Sequence, residues 1–104
     1  MDIPLAERII EDALKIIEDP NRWTRGAEAR DKDGEVCDVL SRRAKRFCAR
    51  GALEKAAHRH KADYYDIVGV IGTASPYYTS VNDSPDGRRK VIKIFKKALK
   101  SLRA

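Results

Sequence analysis

The chain has only two cysteines, Cys37 and Cys48, in 104 residues. That excludes the dense disulfide framework that staples small secreted domains. A single bridge fits the count, but nothing marks the chain as exported, and cytosolic thiols stay reduced. Metal ligands are equally scarce. Cys37, Cys48, His58 and His60 make four, the number a structural zinc takes, yet Cys-x10-Cys and His-x-His match no common zinc spacing. On a helix the two histidines would also point about 200° apart. No metal and no cofactor is expected. Long apolar runs are missing too. The longest near-apolar stretch is Ile67 to Gly72, far short of the ~18 residues that a membrane span needs. The opening residues carry Asp2, Glu7, Glu11 and Asp12, a composition unlike a signal or transit peptide. A cytoplasmic protein that keeps off membranes is the expectation. No glycine-rich phosphate loop, carboxylate dyad or Ser-His-Asp set is legible, which makes an enzyme the minority reading.

The last absence is of acid. Residues 88–104 hold eight Lys or Arg and no Asp or Glu. Residues 41–60 are also basic, with seven Lys or Arg against Glu54 alone. Residues 1–19 reverse this, with six acids against Arg8 and Lys15. The net charge of +6 therefore belongs to the middle of the chain and its C-terminal segment.

What is present suits one domain spanning residues 1–104, with 42% hydrophobic residues at a length where a core needs neither disulfide nor metal. A first helix is expected from about Pro4 to Glu18. Ile9, Ile10, Ala13, Leu14 and Ile17 lie on its inner face, and Asp19-Pro20 ends it. Asp33-Gly34 is a turn signal, and it predicts a short β-hairpin pairing Ala27–Arg30 with Glu35–Cys37. The central helix is read as Ser41 to Ala57, capped by Ser41. Its small residues Ala44, Cys48, Gly51 and Ala52 leave one side open to close approach. Residues 62–73 fit a helix better than a strand, because a lone buried strand would lack a partner. Residues 74–85 read as a loop, and a last helix starts near Ser84 or Asp86. The expected fold is α+β, mainly helical, with about four helices and one short β-hairpin between the first and second. The expected core is Ile9, Ile10, Leu14, Trp23, Phe47, Cys48, Leu53, Ile67, Phe95 and Leu99.

Several landmarks recur in a set order. Trp23 is followed by Gly26, Ala29, Asp31 and Gly34, then by Cys48-x-x-Gly51-Ala52-Leu53. Asn82-Asp83 precedes a last helix with Val91 and Ala98. This order resembles a family of small bacterial and phage proteins classed only as a domain of unknown function. The resemblance runs from about Leu5 to Ala98. It departs from the family pattern at Phe47 and Val81, where tryptophan is usual. It implies no activity, cofactor or site.

Two groups of residues are candidates for function. Arg89, Lys93, Lys96, Lys100 and Arg103 recur at intervals of four and three, so they form one stripe of the last helix. Val91, Phe95, Ala98 and Leu99 fall on the opposite face. Such a stripe attracts an acidic protein surface or nucleic acid, balanced in part by the acidic first helix. A weaker polar site is Cys48 with Asn82 and Asp83. Cys48 is the one candidate nucleophile, but a buried cysteine more often acts as a small hydrophobe. Asn82-Asp83 more often shapes the entry to a helix. The expected function is that of a small, non-catalytic binding or accessory protein. A non-specific nucleic-acid binder and a thiol-dependent enzyme centred on Cys48 are the alternatives.

Overall fold

The computed structural model describes all 104 residues. Helix α1 spans Ile3–Glu18. Asp2 caps it by accepting the Leu5 amide at 2.8 Å, and Asp19-Pro20 ends it, as the sequence predicts. A short 3-10 turn at Pro20–Arg22 leads to strand β1, Ala29–Arg30. Strand β2 is Arg46–Phe47, and α2 is Ala49–Arg59. Helices α3 (Tyr64–Ala74), α4 (Tyr78–Asp83) and α5 (Gly87–Arg103) complete the chain. The fold is mainly helical α+β. A two-stranded antiparallel sheet lies between the first and second helices, in the register Ala29 opposite Phe47 and Arg30 opposite Arg46. Helix α1 packs against α2 and α5, and α5 also covers α3 and α4. No helix is long and apolar enough to cross a membrane.

The Asp33-Gly34 turn forms, with Gly34 at φ +85° and the Asp31 carboxylate accepting the Asp33 and Glu35 amides. Its second arm contributes only a single bridge, Arg30 to Val36. The strand that pairs with β1 comes instead from Arg46–Phe47, inside the stretch expected to be helical. Residues 41–48 are thus not helix, and Ser41 is not the cap of α2. Arg42, Arg43, Lys45 and Arg46 would stack like charges three and four residues apart on a helix. As a strand, the segment buries Phe47 to 1% exposure. Helix α2 starts at Ala49 and is capped by Cys48, whose sulfur accepts the Gly51 amide at 3.4 Å.

Most of residues 62–73 lie in helix α3, which starts at Tyr64 behind its cap Asp63, as preferred over strand. The expected loop at 74–85 instead contains α4, one helix more than the four expected. Tyr78 and Asn82 lie one turn apart, and both are buried. Tertiary burial orders this six-residue turn, which local propensity would leave open. Of the expected core residues, Ile9, Ile10, Leu14, Phe47, Leu53, Ile67, Phe95 and Leu99 are buried. Trp23 and Cys48 are half-buried at its edge, because both carry polar atoms used in hydrogen bonds at that border.

Candidate functional site

The fold brings Cys48, Asn82 and Asp83 together, though they start 34 residues apart in sequence. Asn82, at 1% exposure, ties three segments into one knot. Its Oδ1 accepts from Trp23 Nε1 at 2.8 Å and from the Ala49 amide at 2.9 Å. Its Nδ2 donates to the Thr24 carbonyl and to Asp83 Oδ1, each at 3.1 Å. All four of its hydrogen-bonding valences are filled, so its chemistry is consumed by the fold. Asp83 Oδ1 also accepts the Gly26 amide at 3.1 Å. Beside this knot lies a shallow depression of about 240 Å³, lined by Glu28, Cys48, Arg50, Thr79 and Asp83 among others.

Cys48 is poorly set for nucleophilic work. Burial pushes its thiol pKa up, the Gly51 and Arg50 amides oppose this, and Glu28 and Asp83 add to the rise. No imidazole reaches it. His58 and His60 sit at the far end of α2, about 15 Å along a continuous helix. There His60 Nε2 donates to Asp12 Oδ2 at 2.7 Å.

The same side of the molecule carries a cluster that the sequence did not reveal as a unit. Arg50 Nε lies 3.0 Å from Glu28 Oε1, in charge contact but with its N–H off the oxygen's axis. The Arg50 guanidinium also stacks 5.0 Å over the Tyr64 ring. The Tyr64 and Tyr78 hydroxyls are hydrogen-bonded to each other. Burial raises both tyrosine pKa values, so this pair stays protonated. Glu54 is also raised, first by burial and then by Glu28, while Arg50 opposes. Arg50 and Glu54 are four apart on α2, which is the one local signal for the group. Glu28 and the tyrosines arrive from β1's approach, α3 and α4.

Helix α5 places Arg89, Lys93, Lys96, Lys100 and Arg103 on its exposed side, with Lys90 and Lys97 beside them. The cations are not equivalent. Arg103 Nε and Nη2 donate to Glu7 Oε2 at 3.0 Å and Glu11 Oε1 at 2.8 Å on α1. Arg89 is 3.9 Å from Asp86. Arg88 turns inward and donates to the Ile17 and Glu18 carbonyls, closing the C-terminal end of α1. Lys90, Lys93, Lys96, Lys97 and Lys100 make no ion pair.

A family described as "Family of unknown function (DUF6197)" matches residues 1–101. The chain belongs to that family. No curated protein and no solved structure matches it. The family of unknown function carries no assigned activity in its description, so the functional reading rests on the geometry above.

Proposed function

We propose that this protein is a small, non-catalytic, cytoplasmic binding module that holds the phosphate backbone of nucleic acid against α5, without reading its bases. The observation that carries this reading is the row of lysines at 90, 93, 96, 97 and 100, all exposed and all without an acidic partner. The acidic helix α1 answers only the end of the stripe, through Arg103. Composition favours nucleic acid over an acidic protein. Lysine is depleted in protein–protein interfaces, which favour arginine and aromatic anchors. Lysine serves phosphate as a mobile point charge. The exposed face of α5 carries no aromatic, Asn or Gln with which to read or stack bases, so binding is independent of sequence.

Fluorescence anisotropy with labelled duplex DNA and RNA tests the reading at about 50 and 200 mM salt. Binding should appear at the lower salt and disappear in a Lys93/Lys96/Lys100→Glu variant. No binding at the lower salt, or binding untouched by the triple change, sinks the nucleic-acid reading. Retention of an acidic protein domain by the wild type but not the variant, with nucleic acid unbound, would assign the face to a protein partner.

A further inference from the structure

A second basic site lies on the other flank of α1, where the inner edge of that helix meets the C-terminal half of α2. A cleft of about 400 Å³ opens there, floored by the buried side chains of Ile16 and Ala56. Lys15 reaches it from α1, Arg22 from the 3-10 turn, and Lys55, His58 and Arg59 from α2. Asp12 is the one carboxylate in the lining, and it is committed to His60 at 2.7 Å. None of Lys15, Arg22, Lys55 or Arg59 makes an ion pair, although Arg50 and Arg103 elsewhere find acidic partners at 3.0 Å or less.

The bland account is that these cations answer helix ends. Lys15 and Arg59 do sit in the last turns of α1 and α2. Each C-terminus supplies a charge of only about −0.5, so the two together offset about one of the four cations. Asp12 offsets about one more, so about two remain uncompensated around one concavity. One of them is held in place: the Lys55 ammonium lies 6.0 Å over the Phe47 ring, and its side chain is half-buried. Arg22 adds a planar fork suited to two phosphate oxygens at once. The volume is at the small end of ligand clefts, which suits a small molecule rather than a polymer.

We propose that this cleft is a binding site for a small organic phosphate, with a dianionic phosphate monoester between Arg22, Lys55 and Arg59 and its carbon body on Ile16 and Ala56. The site is independent of the α5 face. Lys15 and His58 complete its rim. No bond forms or breaks; the cleft binds.

The test is titration of the isotope-labelled full chain with AMP, read amide by amide by NMR, with adenosine and inorganic phosphate as comparison probes. AMP should move the amides of Lys15, Ile16, Arg22 and residues 56–59, and adenosine should not. Inorganic phosphate should move the same set at higher concentration, since it lacks the body that the floor holds. An Arg22→Gln/Lys55→Gln variant should weaken AMP binding by about tenfold or more. The exposed Arg22→Gln change alone should weaken it in the same direction, which keeps the test decisive if the double variant folds poorly. The Lys93/Lys96/Lys100→Glu variant should leave AMP binding as it was, so failure here is separable from failure of the α5 reading. No shifts at about 10 mM AMP, shifts confined to α5, equal binding of adenosine, or binding unchanged in both cleft variants would overturn the proposal.

Discussion

Gly51 and Glu28 meet backbone to backbone. A Cβ on Gly51 would lie 2.0 Å from the Glu28 carbonyl oxygen, the same oxygen that accepts the Cys48 amide at 3.2 Å. The open side predicted for the central helix is therefore used, and what approaches it is the segment leading into β1. In a free helix, Gly51→Ala would add about 1 kcal/mol of stability. Here it must push that segment away, and overpacking of this kind costs about 1–3 kcal/mol. The expected outcome is a lower Tm, by about 4–8 °C for each kcal/mol at this size. A Tm that rises would mean that the contact yields freely.

Asn82→Ala should be among the most damaging polar changes. It strips partners from Trp23 Nε1, the Ala49 amide and the Thr24 carbonyl at once. An unmet buried group costs about 1–3 kcal/mol, and water can reach part of this site, so a loss of about 2–4 kcal/mol is expected. Urea unfolding followed through Trp23, the only tryptophan, measures it directly. A loss under about 1 kcal/mol would show that solvent replaces the knot.

Alkaline pH should weaken the fold. Cys48, Tyr64 and Tyr78 all have raised pKa values, burial being the first cause in each. The unfolded chain releases these protons near the ordinary values, 9.0 for Cys and 10.0 for Tyr, while the folded chain holds them to higher pH. The unfolded state then binds fewer protons, so stability is complete below about pH 9 and falls as pH rises beyond it. The urea midpoint at about pH 10.5 should lie below that at pH 7, and Tyr78→Phe should lessen the difference. Equal midpoints would contradict the burial of these groups. The same burial predicts that, in a Cys37→Ser background, Cys48 reacts with a disulfide reagent at neutral pH more slowly than free cysteine does.

Binding by α5 should follow salt in a set way. If five lysines each displace a counterion from duplex DNA, log K against log salt should have a slope of about −4.5, or about 500-fold between 50 and 200 mM. Removing Lys96 alone should make the slope shallower by about one unit. A slope near zero would mean that contacts other than phosphate hold the complex.

Much of the fold was legible because helical periodicity is local. The apolar stripes of α1 and α5 became helices with the expected faces inward, and the ambiguous run of α3 became a helix as well. The stretch Ser41 to Cys48 misled because its small residues fit a helical wheel, while Phe47 gained more by pairing with Ala29 and filling the core. Helix α4 was missed because nothing in Tyr78 to Asp83 favours helix until Tyr78 and Asn82 have somewhere to be buried. The basic stripe was visible as spacing alone, but which of its members stay free was not. Arg103 looks like its neighbours until Glu7 and Glu11 are placed beside it. The cleft around Lys55 had no sequence signal at all, since its cations come from three separate elements.

The sequence by itself determined the mainly helical class, the inner faces of α1 and α5, and the concentration of positive charge at the C-terminal end. These follow from patterns repeating every three or four residues, whose consequences are settled within one helix. Tertiary structure alone decided the partner of β1, the start of α2 at Ala49 behind its cap Cys48, the knot at Asn82 and the pairing state of each cation. Those outcomes depend on segments far apart in the chain. Burying Phe47 or filling the four valences of Asn82 is worth kilocalories, against the tenths that separate local propensities.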